Sequence, residues 1–562
     1  MTSAVVNVAA RLAAMAESMP RAVAVVEPLG YDRQHRRKYR QVTFQQLDRD
    51  SDRIARGLRR RGITPAMRLA LLVRPGIDFV SLVFGLFKAG SVVILIDPGM
   101  GLKKMVKCLA EAEPEGFVAV SPVQAARTIL RHRFPKARLN VTVGRRWFWG
   151  GATLDQLRDG PWIERETQIA ATGADDPAAI IFTTGSTGPP KGVLYRHGNF
   201  DAQVEQIRDF YAIRPGGVDL PGFPLFGLFN CAMGVTTVIP DMDPSRPARV
   251  DPAKIIEAIH DWKVTQMFGS PAIWNRVGRY CQNHRIKLPT VRMVLSAGAP
   301  VPVDVLRRMK AAIHGEGDVH TPYGATESLP VASISGAEVF DQTEAQTQRG
   351  AGVCVGGCFP GIRWKVIRIV DGPIDTIDKV EELPRGEIGE LIVQGPVVTR
   401  QYCTSVEANK LGKIADGESV WHRMGDSGYF DDRGRFWFCG RVAHRVLTPQ
   451  GPMYPVCCEA IFNQHPTIYR SALVGVGPSG RQRPVIVLEP KNGRLPDGQE
   501  ATAELITEIR RLGVENRLTA GIDQFLLHPA FPVDIRHNAK IFRERLAVWA
   551  AERLADTSPQ RG

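Results

Sequence analysis

The stretch Phe182-Thr-Thr-Gly-Ser-Thr-Gly-Pro-Pro-Lys-Gly192, entered from the apolar run 178–182, decides how this chain is read. The run is short and rich in isoleucine, so it predicts a buried strand that feeds the loop. Gly185, Gly188 and Gly192 permit close backbone approach and positive φ, while Thr183, Thr184, Ser186 and Thr187 offer hydroxyls and Lys191 a compact positive charge. That combination suits a polyphosphate. The spacing is not that of a P-loop, whose lysine is followed directly by Ser or Thr, because Pro190 precedes Lys191 and Gly192 follows it. A plain surface loop would account for the glycines and the serine but not for the threonine pair, the prolines and the lysine.

Outward from the loop, between about residues 40 and 440, strand-length apolar runs at 69–73, 92–96, 178–182, 291–296 and 390–393 alternate with longer helical patterns. This alternation predicts an α/β architecture. The most apolar region, 79–96, is interrupted by Lys88 and Gly90 and flanked by Asp78 and Asp97. It reads as a helix followed by a core strand, too broken to span a bilayer. Thr43 is placed to cap a helix whose inner face carries Leu47, Ile54 and Leu58. Long loops rich in Pro and Gly at 213–226, 240–252 and 347–361 suit the rim of a site. After Gly440-Arg441 the chain has its own strands (471–476, 483–488) and helices (502–512, 541–551), which predicts domains at 1–440 and 441–562.

The 562 residues exceed one hydrophobic core, and 44% apolar with 23% charged residues is ordinary globular composition. The net charge of +14 is spread along the chain and no recognition motif accompanies it, so nucleic acid is not an expected partner. The local exception is Arg33-Gln-His-Arg-Arg-Lys-Tyr-Arg40, either a solvated loop or a contact for anionic lipid, which leaves peripheral membrane contact open. Nine scattered cysteines, with a vicinal pair at Cys457 and Cys458 and a Cys354/Cys358 spacing that lacks a second ligand pair, predict no zinc site. Residues 1–19 read as a short amphipathic helix without a signal-peptide pattern. Reduced thiols in a cytoplasmic protein are therefore expected.

Further motifs follow in order: Ser296-Ala-Gly-Ala-Pro300, Tyr323-Gly-Ala-Thr-Glu327, Gly389-Glu-Leu-Ile-Val-Gln-Gly395 ahead of Tyr402, Trp421-His-Arg-Met-Gly-Asp426, Gly440-Arg441, and Asn538-Ala-Lys-Ile-Phe-Arg543. Together with the 183–192 loop they make the chain resemble the acyl-adenylate-forming superfamily of acyl-CoA synthetases, peptide-synthetase adenylation domains and luciferases. The resemblance covers nearly the whole chain. It implies a large N-terminal domain of mixed sheets and helices and a small, mobile α+β C-terminal domain. It also implies ATP and Mg²⁺ as cofactors. By the same resemblance residues 183–192 cradle the β and γ phosphates, Thr326 binds the α-phosphate and Glu327 holds Mg²⁺. Tyr323, with Gly324 beside it, stacks on adenine, Gly298, Ala299 and Pro300 line the base, and Asp426 accepts both ribose hydroxyls. Arg441 lies near the ribose at the domain junction, and Lys540 reaches the attacking carboxylate and the α-phosphate.

Several positions depart from the family pattern. Where thioester-forming relatives carry Asp and then Lys after the hinge arginine, this chain has Ala443 and Leu447. The loop Thr448-Pro-Gln-Gly-Pro-Met-Tyr-Pro455 holds three prolines, which fix φ and remove donors. Ala539 replaces the usual glycine before Lys540. Gly227 stands where many relatives place His, which is expected to widen an acyl pocket made apolar by Phe223, Phe226, Phe229 and Met233. With these departures, together with 183–200 and 223–249, including Val238-Ile-Pro-Asp-Met-Asp-Pro244, the chain is similar to the β-lactone synthetases of bacterial long-chain olefin biosynthesis, a branch of the superfamily. That implies a long-chain 2-alkyl-3-hydroxyalkanoic acid as substrate, release of AMP and pyrophosphate, and association with other olefin-pathway enzymes. A long-chain acyl-CoA ligase, an acyl-AMP ligase and a noncatalytic nucleotide-binding protein are the alternatives. His422, His444 and His537 have no partner visible in sequence, and no general base is assigned.

Overall fold

Unbroken runs of Val, Ile and Leu need cover on both faces, and they find it in two large sheets. The computed structural model describes residues 5–159, 169–183, 190–533 and 540–557. One sheet has seven strands in the order Ala152–Thr153, Leu139–Val143, Gly116–Val120, Arg68–Leu72, Val92–Leu95, Pro177–Thr183 and Lys191–Arg196. Its strands are parallel except for the last pair, an antiparallel hairpin in which Phe182 faces Gly192 and Thr183 faces Lys191. The predicted strand at 178–182 thus lies within Pro177–Thr183, with Ala178, Ala179 and Ile180 fully buried.

The second sheet has nine strands. Asp318–Ala325, Met293–Ser296, Gln266–Gly269, Val218–Pro221 and Thr236–Val238 run parallel through its middle, and antiparallel strands close both ends. In parallel sheets of this kind ligands bind beyond the carboxyl ends of the strands, and the site described below lies there. Between the sheets sits the helix Ile77–Lys88, whose apolar residues share one cluster with Val25 of the nine-stranded sheet and Leu69 and Val93 of the seven-stranded one. Lys88, which breaks the apolar run in the sequence, is buried with its amine 2.6 Å from both Asp48 and Asp52. Two carboxylates compensate the desolvated charge. Those partners lie on the helix Phe44–Arg60, which starts at a capping box: Thr43 accepts from the Gln46 amide while the Gln46 side chain accepts from the Thr43 amide.

A six-stranded antiparallel sheet centred on Ser419–Phe430 completes the large domain. Beyond Arg441 come the strands Ile468–Val476, Arg483–Pro490 and Gln524–Leu527 and the helices Pro455–Phe462, Gly498–Val514 and Arg543–Thr557. Two apolar clusters of this C-terminal domain, around Phe462 and around Leu546, contain only residues after Arg441. Among the described residues no helix is long and apolar enough to cross a membrane.

One buried acid makes stability depend on pH. Asp219 lies inside the nine-stranded sheet, 2.6 Å from the Asn230 amide that donates to it, and burial pushes its carboxyl up to about 7. A raised carboxyl contributes stability that is complete below the ordinary carboxylate range and lost as pH rises through about 7. The Asp219→Asn variant keeps the shape without the charge. It is expected to match the wild type in melting temperature near pH 4 and to exceed it near pH 8, with an unfolding free energy higher there by roughly 4 kcal/mol at most. A difference that does not change between these pH values would show that Asp219 titrates normally.

Candidate active site

The hairpin that carries the predicted phosphate loop brings Lys191 to the edge of a cavity of about 1830 Å³. Thr184, Gly185, Ser186, Thr187 and Gly188 lie outside the described residues, as does the side chain of Thr183. Gly192 shows what the glycine pattern demands at its other end: its amide donates to Thr404 Oγ1 at 2.8 Å, and a Cβ there would sit 2.9 Å from Thr404 Cγ2 and 3.1 Å from Cys403 Sγ. No side chain fits. Residues 401–404 are thereby held against the strand Lys191–Arg196, and Tyr402 lies with its ring centroid 5.2 Å from the Lys191 amine.

The motif Tyr323-Gly-Ala-Thr-Glu327 forms the last residues of Asp318–Ala325 and a two-residue turn into Ser328–Ser335, with Ala325 facing Ser328. Gly324 is needed there because a Cβ would lie 2.7 Å from the Ser328 carbonyl. The turn is clamped from three sides. Tyr195 donates to the Thr326 carbonyl at 2.5 Å, Thr399 donates to the Glu327 carbonyl from its amide (2.9 Å) and hydroxyl (3.0 Å), and Tyr402 donates to Glu327 Oε1 at 2.8 Å. Beneath this clamp Lys413 donates to the Thr399 carbonyl, with its amine 5.6 Å from the Tyr402 ring centroid. Burial pushes Lys413 down to about 7, against the opposing pull of Glu327. Tyr195, Thr399 and Lys413 went unnoticed in the sequence, since each meets the turn across 72 or more residues of chain or through another residue.

Across the cavity, Asp426 and Arg441 face each other on paired strands, and Arg441 Nη1 lies 3.0 Å from Asp426 Oδ1 while donating to the Met424 carbonyl at 2.9 Å. Tyr323 donates to Asp426 Oδ2 at 2.5 Å. Asp426 is buried, and Oδ1 has no hydrogen-bond donor among the described residues despite the nearby guanidinium. Burial raises its carboxyl above the usual range, opposed by Arg441, by the Tyr323 hydrogen bond and by the charge of Lys540. Lys540 lines the same cavity, so the C-terminal domain delivers a cation to the carboxylate of the large domain. Gly298, Ala299 and Pro300 line it as well, with Gly298 at φ +93°, a conformation that favours glycine. Thr326 and Glu327 complete the wall.

The expected acyl pocket is only partly formed. Phe223 and Phe226 line the cavity, and Phe226 stacks on Phe268 at 3.5 Å between centroids. Phe229 and Met233 do not. The helix Phe226–Met233 turns them into a core cluster with Val204, Ile207 and Val235. Gly227 points at Thr237, 3.1 Å from where its Cβ would be, so its lack of a side chain relieves packing in the sheet and does not widen the cavity. Phe79, Ile96, Met105, Val120 and Val123 also line the cavity. Of the histidines, His422 lines the cavity with Nδ1 2.9 Å from the Gly412 carbonyl and is held neutral by burial, helped by the charge of Lys413. His444 Nε2 lies 3.3 Å from Glu544 Oε1, and His537 lies outside the described residues. The cysteines are unpaired, and no group of three metal-ligating side chains occurs among the described residues.

Residues 12–403 match the family described as AMP-binding enzyme. The chain is 47% identical over 553 residues to the olefin beta-lactone synthetase of Xanthomonas campestris pv. campestris, covering 97% of this chain and 98% of that one. It is 45% identical over 560 residues to the olefin beta-lactone synthetase of Stenotrophomonas maltophilia, covering 98% of each. Among solved structures, the amide bond synthetase McbA of Marinactinospora thermotolerans superposes with a TM-score of 0.77 at 20% identity, covering 96% of this chain and 99% of that one. The similarity extends to the fold.

Proposed function

The chain belongs to the AMP-binding enzyme family, and we propose that it is an ATP-dependent β-lactone synthetase. The carboxylate of a long-chain 2-alkyl-3-hydroxyalkanoic acid attacks the α-phosphorus of ATP, the bond to pyrophosphate breaks, and an acyl-adenylate forms. The 3-hydroxyl of the same molecule then attacks the acyl carbonyl, loses its proton and expels AMP, closing the four-membered ring. Likeness along nearly the whole chain to enzymes named olefin beta-lactone synthetase carries this choice within the family. The cavity volume supports it, being larger than a site for one small ligand and ample for a nucleotide beside a long acyl chain.

Adenylation brings anions together, so the residues act mainly by positioning and charge. The 183–192 loop, with Lys191, holds the β and γ phosphates, and Thr326 holds the α-phosphate. Asp426 takes the ribose diol: among the described residues its Oδ1 has an ion-pair neighbour in Arg441 but no aligned hydrogen-bond donor, and a ribose hydroxyl supplies one. Tyr323 and the Gly298–Ala299–Pro300 turn flank adenine, with the Tyr323 hydroxyl tying base site to ribose site through Asp426. Lys540 bridges the substrate carboxylate and the α-phosphate, and Arg441 anchors the junction about which the C-terminal domain moves. Glu327 fits Mg²⁺: it is a carboxylate on the cavity wall, and one or two such groups beside substrate phosphates would suffice to hold the ion. When bound, the ion neutralises phosphate charge during displacement of pyrophosphate. The ring closes without an external thiol, by an attack whose partners are already joined.

Tyr402 orients the Glu327 carboxylate through the 2.8 Å hydrogen bond. Tyr402→Phe is expected to slow acid-dependent pyrophosphate release about tenfold and to raise the Mg²⁺ concentration needed for half activity. Unchanged Mg²⁺ dependence would remove Tyr402 from this role. The reading as a whole is tested by incubating the protein with ATP, Mg²⁺ and a 2-alkyl-3-hydroxy acid, with and without CoA, and identifying products by NMR. A β-lactone formed equally without CoA is expected, whereas a thioester formed only with CoA would make the chain an acyl-CoA ligase.

A further inference from the structure

The basic stretch 33–40 is the membrane candidate in the sequence, but three of its cations are engaged by carboxylates, Arg37 inside the fold and Arg36 and Arg40 at its surface. Arg37 pairs with Asp241, Arg36 with Asp32, and Arg40 with Glu27. A different surface keeps its cations available. Strands Val92–Leu95, Gly116–Val120 and Leu139–Val143 belong to one parallel sheet, so the segments that follow them emerge at the same edge. After the third strand comes Arg145-Arg146-Trp147-Phe148-Trp149. Trp149 is buried and donates to Thr142 Oγ1 at 2.9 Å, and Ser121 donates to the Arg145 carbonyl at 2.5 Å, so the loop is anchored. Its two other rings project into solvent, Trp147 55% and Phe148 74% exposed.

After the first strand, three strand spacings or about 14 Å away across the sheet, the helix Leu102–Glu111 presents Leu102, 63% exposed, beside exposed Lys103 and Lys104. None of Lys103, Lys104, Arg145 and Arg146 makes an ion pair with a carboxylate among the described residues. Between the two prominences the cavity is walled by Ile96, Met105, Val120 and Val123, and Val120 stands in register with Val143, the residue two before Arg145.

We infer that this sheet edge docks on an anionic lipid bilayer through Leu102, Trp147 and Phe148, with Lys103, Lys104, Arg145 and Arg146 against the headgroups. Aromatic side chains flanked by cations that have no carboxylate partner among the described residues, though Arg146 donates to the Gly151 carbonyl, match the chemistry of a bilayer interface, apolar below and negatively charged above. The exposed apolar area, two rings and one leucine, is small for an ordinary protein interface. The docking rests on this edge alone. That it also brings a long acyl chain to the apolar arm of the cavity rests on the function proposed above.

Sedimentation of the full chain with vesicles of phosphatidylglycerol and phosphatidylethanolamine, compared with phosphatidylcholine vesicles, reads the contact without turnover. The protein is expected to bind the anionic vesicles preferentially. Trp147→Ala/Phe148→Ala should weaken that binding by about tenfold or more, and Arg145→Gln/Arg146→Gln should remove most of the preference for the anionic lipid. Circular dichroism melting checks that both variants keep the fold. Absence of binding to the anionic vesicles at low salt, or equal binding by both variants, would overturn the inference while leaving the proposed reaction untouched. A wild type that self-associates, and becomes monomeric when Trp147 and Phe148 are removed, would also overturn it by assigning the surface to a second copy.

Discussion

Replacing Lys540 by alanine is expected to lower acid-dependent pyrophosphate release by about 10²–10³-fold while leaving ATP affinity within a few-fold of the wild type. The two effects separate because of where the amine comes from. Lys540 lines the cavity from the C-terminal domain, together with Asp426 and the Glu327 turn of the large domain, and its charge is felt at Asp426. The nucleotide is held mainly by the large domain, so its binding survives. The displacement does not, because negative charge concentrates between carboxylate and α-phosphate only as the bond forms, and a cation fixed there favours that state over bound substrate. A coupled pyrophosphate assay with calorimetric measurement of ATP binding tests both halves. Turnover within threefold of the wild type would exclude Lys540 from the chemistry, and a parallel loss of ATP binding would make it a ground-state contact.

The Asp426→Asn variant is expected to act on the other term, raising the KM for ATP about a hundredfold. Hydrogen bonds to a charged acceptor are worth about 1.5–3 kcal/mol each, and the substitution replaces a carboxylate that can accept from both ribose hydroxyls by a group with one accepting oxygen. It also takes away the partner that Arg441 holds at 3.0 Å, leaving a guanidinium in a mostly enclosed site without its carboxylate. Tyr323→Phe, which removes one hydrogen bond to Asp426, should change the same KM far less. Steady-state kinetics with ATP varied at saturating acid distinguishes them. A KM for ATP unchanged in the Asp426→Asn variant would move the ribose site elsewhere.

Local signals in the sequence located the elements that carry these residues. The isoleucine-rich run at 178–182 became a buried strand because its residues have sheet on both sides, and the Thr43 cap formed because the partner it needs, Gln46, is three residues away. Lys88 looked like an interruption and proved compatible with a buried helix, since Asp48 and Asp52 on the preceding helix neutralise it. What was hidden depends on contacts between distant segments. Nothing near Glu327 announces that Tyr402, 75 residues on, will hold its carboxylate, or that Lys413 will brace Thr399 under the same turn. The pocket expected from Phe223, Phe226, Phe229 and Met233 is only partly formed for a related reason: 226–233 is apolar on several faces, and only its packing against Val204 and Ile207 decides that Phe226 meets the cavity while Phe229 and Met233 meet the core. The charge of 33–40 was equally unreadable, because the partner of Arg37, Asp241, lies 204 residues away.

Isotope tracing follows the central claim atom by atom. A 2-alkyl-3-hydroxy acid labelled with ¹⁸O in both carboxyl oxygens is supplied with ATP, and the products are weighed by mass spectrometry. If the carboxylate is activated by AMP and the hydroxyl closes the ring, AMP gains one ¹⁸O, the lactone keeps one in its carbonyl, and its ring oxygen is unlabelled. Label in the ring oxygen with unlabelled AMP would mean that the hydroxyl is the activated group and the carboxylate the attacker, and would contradict the account.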